Sequence, residues 1–232
     1  MRVSSFLVSC GFCFFAVFAV SVCAEPYQTT LPDPQDDSGW EQVLDENGVR
    51  IYTRDWPGSS FIAVKLRHNL KTSLSNVVGN ILHVEAMGEW VDDLKEVRLL
   101  TDFDGAKPRA YYLRMGLPWP MEDRDVIRQQ LVSQNPETLV VTVSESNAAD
   151  VLDEVDGVTR VPHGQSEYVL TPTPEGTVDV IWQGHNEPGG LVPAFLANWM
   201  IENIFYDSTM NMRARFEDPK NARPFPGIVD RP

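Results

Sequence analysis

Cysteine is absent from all but the start of this chain: of 232 residues, the three cysteines, Cys10, Cys13 and Cys23, all precede Glu25. If that segment is removed, the rest can form no disulfide, offer no thiol nucleophile and hold no thiolate-bound metal. Basic residues are also scarce, with 19 Lys and Arg against 33 Asp and Glu and a net charge of −14. Such a surface repels nucleic acid and lacks the polybasic patch that grips anionic lipid. Histidine is rare. His68, His83, His163 and His185 are never at the i, i+4 spacing of a helical zinc site, and each reads as structural or solvated. No glycine-rich phosphate loop opens a helix. The string Gly164-Gln165-Ser166-Glu167-Tyr168 starts like a nucleophile elbow but has Tyr where the second Gly must allow the sharp turn. No catalytic residue and no metal site is assigned, and no cofactor is expected; a site composed of distant residues stays open.

What is present is ordinary globular composition, 43% hydrophobic and 22% charged, in a length suited to one core. Arg2, an apolar run over residues 6–20 and Val22-Cys23-Ala24 before Glu25 predict a signal peptide over residues 1–24. Cleavage there puts the protein in a periplasm or outside the cell; an uncleaved anchor is the rival, because the run approaches the roughly 20 residues that span a bilayer. Residues 25–39, rich in Pro, Asp and Thr, predict a flexible leader. Residues 218–232, with Pro219, Pro224, Pro226 and Pro232, predict a surface tail.

Between these limits, β-rich residues 49–54 and 61–68 flank Trp56-Pro57-Gly58 and read as a hairpin. Leu74, Val77, Val78, Ile81 and Leu82 recur at helical spacing after Ser73 or Ser75, with Gly79 a mild weakness. A short helix is predicted over residues 84–91. Strands follow over 97–102, 109–115, 125–133, 139–144, 165–170 and 178–185. In the 109–115 segment Tyr111, Leu113 and Met115 share one face, which predicts an antiparallel, curved sheet with one apolar side.

A last helix is predicted over 191–216. At 100° per residue Val192, Phe195, Leu196, Trp199, Met200 and Ile204 form one broad arc that also takes in Asn203 and Asp207. An amide and a carboxylate on that arc suit a lid over a cavity better than a dry core, although plain core packing is the other reading. The aromatic and proline run Gly116-Leu117-Pro118-Trp119-Pro120-Met121 reads as a gate or as a corner plug.

Several strings occur in a telling order: Gly48-Val49-Arg50-Ile51-Tyr52-Thr53-Arg54, then Glu85-Ala86-Met87-Gly88-Glu89-Trp90. After them come Pro118-Trp119-Pro120 with Arg124-Asp125, and Glu187-Pro188-Gly189-Gly190 with Pro193. In these the chain resembles the START (StAR-related lipid-transfer) family over residues 40–217. The resemblance implies an α+β helix-grip fold, a curved antiparallel sheet wrapped around a long C-terminal helix with an internal apolar cavity. It implies carriage of a lipid or other apolar small molecule by a monomer that meets membranes transiently, binds no nucleic acid and is not an enzyme. The ligand-facing set expected on this basis is Tyr112, Leu117, Trp119, Arg128, Gln130, Trp182, Leu196, Trp199, Met200, Asn203, Ile204 and Asp207. Arg124 and Asp125 are expected to be structural, with Arg124 pairing a carboxylate. Arg128 points either into the cavity, where it would want an acidic partner, or along the outer face. The acid and arginine pair of sterol-binding relatives is not evident, since the aligned positions are near Tyr111 and Gln130.

Two other functions compete: a helix-grip enzyme of the polyketide cyclase or aromatase type, for which Asp207, Tyr112 and His185 are acid–base candidates by residue type, or a structural module of the cell envelope.

Overall fold

The computed structural model describes residues 30–103, 107–119, 121–190 and 192–231, with side chains at each of these except 196, 197 and 199–203. Strands β1 (Glu41–Glu46), β2 (Val49–Arg54) and β3 (Ala63–Leu70) lead into helix α1 (Leu74–Leu82) and a 3₁₀ turn over Val84–Glu89. Seven more strands follow: β4 (Leu94–Thr101), β5 (Arg109–Met115), β6 (Asp123–Gln134), β7 (Val141–Asn147), β8 (Val158–Arg160), β9 (His163–Pro172) and β10 (Val178–Glu187). Helix α2 (Ala194–Phe216) closes the domain.

All ten strands form one sheet in the order β1-β2-β3-β10-β9-β7-β6-β5-β4, antiparallel throughout except that β8 pairs in parallel with the start of β6. Because β3 pairs with β10, the opening three strands are zipped to the last strand of the domain, and α2 lies against β2, β3 and α1. Period-two alternation sends Leu66, Tyr111, Leu113, Val143, Tyr168 and Trp182 to the face under α2. The curved sheet gripping one long helix is the fold that the resemblance implied.

Local chemistry explains where the elements differ from expectation. β1 was not foreseen because Glu41-Gln42-Val43-Leu44-Asp45-Glu46 is largely polar; it exists as the partner of β2 across a turn in which Asn47 and Gly48 both take positive φ, 51° and 73°. β7 starts at Val141 rather than 139 because Leu139 sits at φ 62° in a turn whose main-chain amides at Glu137 and Thr138 are bound by Asn135 Oδ1. Three-residue β8 is too short to show any periodicity.

Both ends of the described residues are tied to the domain. The described part of the expected leader lies on the outer sheet face: Lys65, fully buried, donates to Asp36 O at 2.7 Å and Asp37 at 3.1 Å, Arg67 reaches Pro34 O and Asp37, and Gln183 donates to Pro32 O. Polar side chains on that face find partners in residues 32–37, which are therefore fastened rather than free. At the other end, Asp230 accepts from Ser75 N and Ser75 Oγ at the start of α1, where Ser73 also caps Asn76 N. Gly79 is the site of closest approach, since a Cβ there would lie 1.6 Å from Arg223 O.

Candidate functional site

The sheet and α2 enclose a hollow of about 280 Å³, walled by Leu66, Ile81, Met87, Trp90, Tyr111, Leu113, Tyr168, Trp182, Phe205 and Met212 among others. A second hollow of about 330 Å³ lies toward the loop after β5, bounded by Leu117, Met121, Val126, Val161, Pro188 and Val192. Leu113, Met115, Arg128, Asn186 and Ile204 belong to both, so the two are adjoining chambers. The first falls just short of the roughly 300–1,000 Å³ range of small-molecule sites and the second just inside it. The lining is mostly carbon, with Trp182 stacked obliquely on Phe205 at 4.9 Å and on Tyr168 at 6.4 Å between ring centres.

The polar groups form one shelf on the sheet side. Glu145 continues the inward parity of Val141 and Val143 on β7, and both its oxygens are engaged. Oε1 accepts from the Tyr111 hydroxyl and Gln130 Nε2, each at 2.7 Å, and Oε2 accepts from Ser166 Oγ at 2.9 Å. Burial, reinforced by this carboxylate, pushes the Tyr111 hydroxyl well above its ordinary pKa, so the phenol remains a donor. Beside it on β6, Arg128 donates through Nη2 to Asn186 Oδ1 at 2.8 Å. His68, on β3, is pushed down to about 4 by burial and then by the charge of Arg213, so its imidazole is neutral at ordinary pH.

Below the second chamber lies a structural cluster. Arg160 and Asp125 form a buried bidentate pair at 2.7 and 3.1 Å, and Arg160 also donates to the carbonyls of Ala149, Leu152 and Asp153. Desolvating two ions costs several kcal/mol each, so the added carbonyls help to make the pair tolerable. Arg124, expected to pair with a carboxylate, instead binds the carbonyls of Glu122, Pro188 and Gly189 at 2.6, 2.9 and 3.3 Å. It fastens the approach to α2 to the start of β6.

Of the ligand-facing residues named from sequence, Arg128, Trp182 and Ile204 line the first chamber, and Leu117 the second. Gln130 is fully buried one layer behind, holding Glu145 and accepting from Arg109. Tyr112 is a correction: it has the opposite parity to Tyr111 and lies on the outer face, with the Arg98 guanidinium 4.8 Å above its ring. Trp119 is 92% exposed at the tip of its loop and lines neither chamber. Asp207 is exposed, about 200° around the helix from inward-facing Thr209. Phe195, placed on the same arc, is 77% exposed. The side chains of Leu196, Trp199, Met200 and Asn203 lie outside the described residues, as do residues 1–24. The acid–base candidates Asp207, Tyr112 and His185 line neither chamber; His185 stacks on Trp56 at 4.5 Å with Nε2 3.1 Å from Phe61 O.

Sequence reasoning passed over Glu145, Ser166, His68 and Asn186. The signal for Glu145 was there: a carboxylate on the apolar parity of a strand, two residues after Val143. Asn186 and Ser166 gave no comparable sign, since their roles come from contacts with strands distant in sequence, Arg128 on β6 and Glu145 on β7.

A curved antiparallel sheet closed by one long helix over a largely apolar hollow defines a helix-grip protein built around a cavity. Residues 33–221 match the model of the START domain, and the chain belongs to the START family. It is 26% identical to a STAR-related lipid transfer protein of Xanthomonas axonopodis, whose structure superposes with a TM-score of 0.71 over 78% of this chain and 99% of that one. The phosphatidylcholine transfer protein of Bos taurus is 22% identical over 186 residues, 78% of this chain and 84% of the relative. Human STARD10 shares the fold, with a TM-score of 0.70 at 13% identity and coverage of 82% of each chain.

Proposed function

We propose that this protein carries a lipid or similar apolar small molecule in the paired chambers under α2, as a monomer and without chemical conversion of the ligand. The observation that carries this reading is the hollow itself. A core with no ligand to hold packs to crystal-like density, and voids of this size forfeit dispersion contacts along their whole lining. Membership of a lipid-transfer family, and relatives named for lipid and phosphatidylcholine transfer, support the same class of cargo. Trp119 and Phe195, 92% and 77% exposed, flank the second chamber in the loop after β5 and at the start of α2. They suit transient contact with a bilayer from which cargo is taken, because exposed aromatic rings gain free energy at a lipid interface.

The reading extends to location: residues 1–24 direct export and are removed, leaving Glu25 first. Fractionation with N-terminal sequencing tests this, and cytoplasmic retention of an intact amino terminus would refute it. The cargo is tested by native mass spectrometry after mild purification, followed by organic extraction. The expected result is a co-purifying apolar molecule or, after delipidation, stoichiometric uptake from a broad lipid panel. An empty protein that takes up nothing from the panel would end the proposal.

A further inference from the structure

Arg128 is the cation of the inner wall, only 9% exposed, and it lines both chambers at their junction. Its Nη2 is held by Asn186, while its Nη1 is buried and has no hydrogen-bond partner among the described residues. The nearby acid does not supply one. Glu145 has both oxygens occupied by Tyr111, Gln130 and Ser166. The other guanidinium on the second chamber, Arg124, is bound to main-chain carbonyls. A guanidinium cannot shed its proton to escape burial, so an unfilled donor in a carbon-lined space calls for an anion.

The placement of Arg128 is itself supported. Asn186 lies across from Gly164 on β9, where an added Cβ would fall 2.1 Å from Asn186 Oδ1 and 3.0 Å from Asn147 Nδ2. Only a residue without a side chain lets the Asn186 amide lie over that strand and reach Arg128. Two strands are thus shaped to hold the guanidinium while leaving one nitrogen free.

We propose, resting on the reading that the chambers hold an apolar ligand, that the ligand is an amphiphile with one oxyanion, a carboxylate or a phosphate on an acyl chain. Arg128 Nη1 receives that oxyanion at the junction of the chambers, and Asn186 is the positioning residue. The chain or chains lie along the carbon surface on either side. The charge of the whole molecule, −14, opposes anion binding, so any preference for an anion must be local.

The test is calorimetric titration of the delipidated protein with two matched pairs: oleate against methyl oleate, and 1-oleoyl lysophosphatidate against monooleoylglycerol. The anionic member of at least one pair is expected to bind tighter by on the order of tenfold or more, as charge-assisted hydrogen bonds do. Which pair shows it distinguishes a carboxylate from a phosphate. Arg128→Met is expected to erase the preference while the neutral members keep their affinity. Asn186→Ala, which retains the charge but frees the guanidinium, is expected to reduce it. If neutral and anionic members bind equally well, the oxyanion assignment is wrong and the apolar-ligand reading stands. If none of the four binds, that reading has failed as well. Should Arg128→Met not fold, the wild-type comparison still decides.

Discussion

Three side chains inside the domain make quantitative predictions at their own scale. His68 has a folded pKa near 4 against 6.5 for a free imidazole. The native state therefore resists protonation that the unfolded chain accepts. The contribution is fully present above pH 6.5 and is lost as the pH falls toward 4, amounting to on the order of 3 kcal/mol. Urea unfolding across that range should lose less stability in His68→Leu than in wild type; equal slopes would show that His68 is solvated. Glu145→Ala leaves Tyr111, Gln130 and Ser166 with a buried acceptor missing, and should cost about 2–4 kcal/mol by the same measurement. Asp125→Ala strands the buried Arg160 guanidinium and should cost about 3–5 kcal/mol. The residue scale is also where sequence reading was weakest. Period-two alternation put Tyr111 and Tyr112 on opposite faces but did not say which face was inside. That is decided by the face on which α1 and α2 pack, where Tyr111 joins Ile81, Met212 and Phe216.

Elements were far more legible than sites. α1 and β5 fall where periodicity placed them, because capping by Ser73 and alternation of large apolar groups are local signals. α2 was located correctly. Of the described members of the arc drawn from sequence, Ile204 lines both chambers while Phe195 and Asp207 are exposed, and in the second half of the helix the stripe that meets the core runs through Phe205, Thr209, Met212 and Phe216. Gly79 looked like a mild helix weakness and is instead the groove through which the carboxy-terminal tail passes. Gly79→Ala should therefore do the reverse of what helix propensity alone predicts. With a Cβ 1.6 Å from Arg223 O, the tail must lift, lowering the melting temperature and exposing the region after Phe216 to limited proteolysis. Unchanged stability and an intact tail would contradict that packing.

At the scale of the whole molecule, the two chambers set the expectation. Leu113 lines both, so Leu113→Trp adds bulk where there is vacant space. Ligand uptake should fall by roughly tenfold or more while stability is held or rises, since filling a void restores dispersion contacts. A fall in stability together with unchanged uptake would mean that the chambers are not where cargo sits.

Among the described side chains, helix α2 is anchored most deeply at its carboxy-terminal end. Met212 and Phe216 are sunk in the core, and Asn76 grips Phe216 O, while toward the other end the described Asn198 reaches the loop residues Ser60 and Ile62. The helix is a cantilever of 23 residues, roughly 35 Å long at 1.5 Å per residue. On such a beam a tilt of about 5° at the clamp swings the tip by roughly 3 Å, enough to part neighbouring side chains there while the root scarcely moves. On the proposed reading, cargo enters and leaves beneath the amino-terminal turn of α2, the end that such leverage moves most.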